Sequence, residues 1–257
     1  MATSRTNGSD RIAAVEKALN VLEALWQADG AGVTELSEMT GLAKSTVHAH
    51  LSTLQSKGYV VQENGEYRLS FRFLSFGEQT KRAEPLYDAA RRPIAELAER
   101  TGERVMGWTE QNGLGTALVV EEGSRSLSFD IGVGDHTYLH SSAAGKAMLA
   151  HFSREKAERV IDEWGLPESS EATITDRDVL EAELSRIRES GIAYNRGEYR
   201  LGVNGIGAPI LGNDGTVHGA VSLVAPERRL ESEWDDEELR SQLLAAANTV
   251  QVNLMFG

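Results

Sequence analysis

The stretch that most constrains the fold lies between Thr34 and Leu69. Thr34 can cap a short helix that turns Leu36, Met39 and Leu42 inward, Gly41 marks a turn, and Ser45 can cap a second helix over 46–56. Two short helices across a glycine turn outline a helix-turn-helix. On the second helix Val47, Leu51 and Leu54 recur at helical spacing and must face a core. The opposite face then carries Ser45, Ala49, Ser52 and Ser56, flanked by Thr46, His48 and Thr53. These side chains are short, and the helix lacks the spaced Glu–Lys or Glu–Arg pairs of an ordinary solvated helix. Small residues and hydroxyls suit a helix lying against base edges and phosphates in a major groove. Lys44 and the N–H groups of the first turn can meet a phosphate.

A hairpin follows at once. Asn64 and Gly65 separate two short β-type runs, and a type I′ turn needs positive φ at both central residues. A helix-turn-helix followed by a hairpin reads as a winged helix. Arg68 on the wing, with Arg5 and Arg11 on the preceding arm, are candidate contacts to the DNA backbone or minor groove. Upstream, Ile12, Val15, Leu19, Leu22 and Trp26 form one apolar stripe at helical spacing.

Charge divides the chain. Of its 26 Lys and Arg and 39 Asp and Glu, nine of each fall in residues 1–82, so the rest of the chain holds the entire net charge of −13. Lysine is scarce beside arginine. A carboxylate-rich, lysine-poor surface predicts a protein that stays soluble in high salt, as in a halophile. The absence of cysteine excludes disulfides, thiolate metal sites and thiol catalysis. No apolar run reaches the length of a membrane span and no signal-peptide core opens the chain, so a cytoplasmic protein is expected.

Residues 71–84 carry Phe71, Phe73 and Phe76 and read as a connector helix between two domains. The expected organisation is a flexible arm at 1–10, a winged helix at 11–70, the connector, and a second domain at 85–257. In the second domain strands are predicted at 105–109, 116–121, 126–131, 192–195, 205–210 and 217–224, with helices at 86–100, 143–151, 154–164, 176–190 and 232–255. The small residues from Ser141 to Gly145 lead into a helix whose backbone N–H groups near Ala143 and Ala144 can approach an anion. Lys146 in its first turn is either a ligand contact or one half of a structural ion pair. Glu198 reads as a buried structural carboxylate. No nucleophile, phosphate-loop or zinc-protease motif occurs, so no catalytic residue, metal ligand or cofactor is assigned. His136 and His140 share a spacing that admits a metal pair, but a polar strand end explains them as well.

Glu35, Leu36 and Leu42, the run Lys44, Ser45, Thr46, Val47, His48, then Leu51, Leu54, Gly58, Tyr59 and Tyr67, Arg68, Leu69 together resemble the DNA-binding half of the IclR family of transcription regulators. The run from Leu139 to Ala150, the stretch from Gly191 to Glu198, and the segments 205–210 and 219–223 resemble that family's GAF-like α/β effector domain. The resemblance implies an α+β chain of three parts: winged helix-turn-helix, connector helix and effector domain. It implies a double-stranded DNA operator read through Lys44, Ser45, Thr46, His48, Ala49, Ser52 and Arg68. It also implies a homodimer or dimer of dimers. The family's ligand pocket maps onto Ala143, Ala144, Asn195, Gly205, Ser222 and Val224, with Phe129 and Val203 as apolar walls.

Departures from the family pattern mark this chain. Ala49 stands where the family usually has arginine, so its operator differs. Asn195 replaces an acid, Gly205 replaces Cys, Ser or Ala, and Val224 replaces a second serine. The expected effector is therefore a sugar-derived or aromatic carboxylate rather than glyoxylate or pyruvate, with Gly205 making room for it. A catabolic operon for such an acid is the expected target. Ligand binding to one conformation would change the spacing of two DNA heads, and a coupling of about 1–3 kcal/mol suffices. The alternative is a sensor or enzyme whose helical head docks a protein.

Overall fold

The computed structural model describes residues 11–126, 131–231 and 237–256. The chain divides into two compact units, the first ending at Ala83 and the second beginning at Glu84.

The first unit holds α1 (Ala13–Ala28), α2 (Val33–Thr40), α3 (Lys44–Ser56), β1 (Val60–Glu63), β2 (Glu66–Leu69) and α4 (Arg72–Arg82). Val21, Leu25, Leu36, Val47, Leu51 and Val60 form its core, with Leu54 packed at the edge. Asn64 (φ 54°) and Gly65 (φ 89°) both adopt the left-handed conformation, and β1 and β2 pair antiparallel across them, as the hairpin reading requires. Three local expectations change. The α3 helix begins at Lys44 behind Ala43, with no side-chain cap, so Ser45 is inside the helix rather than at its cap. The α2 helix begins at Val33, and Met39 is 44% exposed because the buried edge runs through Val33 and Leu36 instead. On α1 the stripe of Ile12, Val15, Leu19 and Trp26 is exposed, while Val21, Ala24 and Leu25 turn inward. The connector segment is helical from Arg72, and Phe73 and Phe76 pack on the Tyr59 ring at 5.6 and 5.9 Å.

The second unit is built on a six-stranded antiparallel sheet of order β5-β4-β3-β8-β7-β6. Its strands are β3 (Arg104–Gln111), β4 (Leu114–Glu121), β5 (His136–Tyr138), β6 (Ala193–Arg196), β7 (Val203–Leu211) and β8 (Val217–Pro226). Its helices are α5 (Pro85–Thr101), α6 (Ala143–His151), α7 (Arg154–Trp164), α8 (Arg177–Ser190), α9 (Glu227–Glu231) and α10 (Glu237–Phe256). Successive strand residues point to opposite faces. Val105, Val119, Ile206, Ala208, Val221 and Leu223 pack against α5 and α10. Met106, Trp108, Ala117 and Ala220 pack beneath α6 and α8 on the other face. The expected strand at 126–131 falls mostly on residues 127–130, outside the described residues. The whole chain is thus α+β, a winged helix-turn-helix with a GAF-like α/β unit. Among the described residues no helix is long and apolar enough to cross a membrane.

Candidate functional site

Two surfaces stand out. The first is the outer face of α3. Val47 and Leu51 are fully buried, which turns Ser45, His48, Ala49 and Ser52 outward with Lys44 at the helix start; Thr46 is half-buried. Thr53 and Ser56 donate their hydroxyl protons to the carbonyls of Ala49 and Thr53, at 3.0 and 2.8 Å. Thr46 and Val47 donate their N–H groups to the Ala43 carbonyl, and no side chain caps the helix. The N–H groups of Lys44 and Ser45 therefore point out of the helix end, as an anion site requires. Arg68 lies over the α1–α2 turn. A Cβ at Gly30 would come within 2.9 Å of its Nε, and its guanidinium pairs with Glu66 at 3.6 Å. Arg11 pairs with Glu16 at 3.6 Å, and Arg5 lies outside the described residues.

The second surface is a small cavity under the N-terminus of α6. Ala143, Ala144, Asn195, Val203, Gly205, Ser222 and Val224 all line it; Phe129 lies outside the described residues. Residues from five strands and one helix, spread along the sequence from Met106 to Val224, meet here because the sheet curls. Its two edge strands are β5 and β6, yet Asn195 of β6 donates through Nδ2 to the Ser141 carbonyl just after β5, at 2.6 Å. Asn195 Oδ1 accepts the N–H of Glu198 at 3.1 Å. Both ends of this amide are held by the protein, leaving one N–H.

Glycines let α6 approach the sheet. A Cβ at Gly207 would lie 2.7 Å from the Ala143 carbonyl carbon, and one at Gly145 would lie 2.2 Å from the Leu139 oxygen. Ser142 caps the nine-residue helix by accepting the Gly145 N–H at 3.1 Å, and its carbonyl accepts the Lys146 N–H at 2.9 Å. The N–H groups of Ala143 and Ala144 remain at the cavity.

Polar chemistry at the cavity is dominated by donors. Trp108 Nε1, a donor only, donates to Ser222 Oγ at 2.9 Å, so the Ser222 proton must point elsewhere. Among the described residues, none of those lining the cavity carries a formal charge. Lys146 is fully buried one turn along α6, 2.7 Å from Glu198 and 3.4 Å from Glu183, so its ion-pair reading is the one the geometry realises. Burial raises the Glu198 carboxyl above the usual carboxylate range, with Lys146 only partly offsetting it. Burial also lowers His140, whose Nε2 meets the Pro167 carbonyl at 3.1 Å. His136 Nδ1 instead meets the Thr116 hydroxyl at 2.8 Å. Among the described residues no group of three or more acidic or histidine side chains could hold a metal.

Gly205 does not enlarge the cavity. A Cβ there would meet Val224 Cγ1 at 3.2 Å, so the valine fills the space the glycine leaves. Sequence reading missed Met106, Trp108, Ile131, Thr137, Ser142, Tyr199 and Asn204, which also line the cavity. The alternation of Met106 and Trp108 along β3 was a usable signal; nothing local marked Tyr199.

A winged helix joined to an α/β unit whose cavity offers helix N–H groups and hydroxyls defines a ligand-responsive DNA-binding regulator. The IclR helix-turn-helix domain matches residues 14–64, and the C-terminal domain of bacterial IclR transcriptional regulators matches residues 79–252. The chain belongs to the IclR family, a family of transcriptional regulators. It is 32% identical over 248 residues to the probable HTH-type transcriptional regulator ArcR of Halobacterium salinarum, covering 95% of this chain and 94% of that one. The crystal structure of Thermotoga maritima IclR superposes with a TM-score of 0.81 at 24% identity, covering 94% of this chain and 98% of that one. An IclR homolog from Microbacterium hydrocarbonoxydans, complexed with 4-hydroxybenzoate, gives a TM-score of 0.79 at 22% identity, covering 95% of this chain and all of that one (100%).

Proposed function

We propose that this regulator senses a sugar-derived or aromatic carboxylate and controls a catabolic operon for it, without catalysing a reaction, in the cytoplasm. The observation that carries the reading is the pair of N–H groups of Ala143 and Ala144 at an uncharged cavity. A helix N-terminus attracts a carboxylate, and Ser222 and Asn195 add donors beside it. The acid expected from glyoxylate- and pyruvate-type pockets is replaced by Asn195, whose amide is already engaged with Ser141 and Glu198. Phe129 is assigned to the apolar wall with Val203 and Val224. The Microbacterium homolog's aromatic acid supports testing that class.

Operator contact is assigned to Lys44, Ser45, Thr46, His48, Ala49, Ser52 and Arg68. The exposed stripe of Ile12, Val15, Leu19 and Trp26, with Phe71 at 88% exposure, supports pairing of two copies through α1 and α4. Two copies suit half-sites one helical turn apart.

Isothermal titration of the full-length protein with gluconate, 4-hydroxybenzoate, glyoxylate and pyruvate tests the effector class. Tighter binding of either of the first two is expected. Tight glyoxylate or pyruvate binding would overturn the class.

A further inference from the structure

Resting on the carboxylate reading above, we infer that Thr137 is a second anchor of the pocket and selects an effector that carries a hydroxyl besides its carboxylate. Thr137 stands on β5, lines the cavity, and is only 3% exposed. Its Oγ1 is buried with no hydrogen-bond partner among the described residues. Its neighbour across the β4–β5 pairing is Gly115, which offers no side-chain partner. A buried hydroxyl left unpaired is costly, so it persists where a ligand completes it. The other polar groups assigned to the effector, the α6 amides, the Ser222 hydroxyl and the remaining Asn195 N–H, present protons and satisfy carboxylate oxygens. A threonine hydroxyl can also accept. Ser222 Oγ already accepts from Trp108, whereas Thr137 has both roles open; a ligand hydroxyl, which accepts one proton and gives another, satisfies it in full, while a carboxylate or keto oxygen can only accept.

The test is titration of full-length protein and the Thr137→Val variant with two matched pairs: gluconate against hexanoate, and 4-hydroxybenzoate against benzoate. The two pairs separate sugar-derived from aromatic hydroxyls. The wild type binds the hydroxylated member of at least one pair about tenfold more tightly, and T137V erases that preference. Thermal melting gives an independent readout. Because the hydroxyl has no partner among the described residues, T137V melts at or above the wild-type temperature. Equal binding within both pairs, a preference that survives T137V, or a lowered melting temperature would overturn the inference while leaving the carboxylate pocket standing. Binding of none of the four acids would instead contradict the carboxylate reading itself, and the inference with it.

Discussion

Lys146 Nζ lies 2.7 Å from Glu198 Oε1 inside the second unit, where neither side chain reaches solvent to any useful extent. The pair joins α6, whose first turn forms the cavity roof, to the loop after β6, whose Asn195 forms its wall. Breaking it from one side strands a buried charge. Lys146→Met is expected to cost about 3–5 kcal/mol in chemical denaturation. Adding Glu198→Gln is expected to return much of that loss, since the more deeply buried stranded carboxylate is then gone and Glu183 keeps Arg186 at 3.2 Å. Equal stability of K146M and the wild type would remove the pair from the account.

His140 sets a pH dependence. Its folded pKa lies below the ordinary histidine value because burial disfavours the charged ring. The unfolded chain thus binds the proton first as pH falls. The stability contribution of His140 is complete above the ordinary value and is lost as pH drops through the folded one. Urea unfolding from pH 7.5 to pH 5 should show wild-type stability falling, with a smaller fall in His140→Gln. Parallel curves for the two proteins would exclude His140 as a source.

Gly207 fixes the roof of the cavity. Its added Cβ in Gly207→Ala would sit 2.7–2.9 Å from backbone atoms of Ala143 and Ala144, which cannot turn aside. Overpacking of this kind costs about 1–3 kcal/mol, and calorimetry should find effector binding lost with the fold kept. Gly205→Ala meets a valine methyl at 3.2 Å and the Leu223 carbonyl oxygen at 3.3 Å, looser contacts than those at Gly207, so its effect should be milder. Equal behaviour of the two variants would contradict the placement of α6.

How far the sequence revealed this depended on whether the information was local. The bounds of α6 and α7 could be read from the residues themselves, as could the hairpin at Asn64 and Gly65. The curl of the sheet could not. It depends on Asn195 reaching Ser141 from the opposite edge, a contact between residues 54 positions apart. The apolar stripe on α1 was visible, but periodicity cannot say whether a stripe faces a core or open solvent; Ala24 decides it by packing inward. Gly205 suggested space because side-chain volume was read position by position, while Val224 on the neighbouring strand takes that volume back. Thr137 escaped notice because a threonine on a strand is ordinary until its oxygen proves partnerless.

Salt should affect operator binding weakly. DNA affinity from phosphate contacts falls with salt through counterion release. Residues 1–82 carry equal numbers of basic and acidic residues, and the chain as a whole carries −13. The operator dissociation constant, followed across a KCl series, should change over a shallow slope. A steep decline would show that phosphate contacts dominate and would remove the high-salt reading of the composition.

The most direct test concerns the short face of α3. Operator binding by full-length Ala49→Glu is measured by fluorescence anisotropy on the fragment recovered from a genome-wide footprint of the wild type. A carboxylate placed against a duplex meets like charge, and a loss of about a hundredfold or more is expected, with melting temperature and effector titration unchanged. Undiminished operator binding by this variant would show that α3 does not lie against DNA, and the regulator's central surface would have to be sought elsewhere.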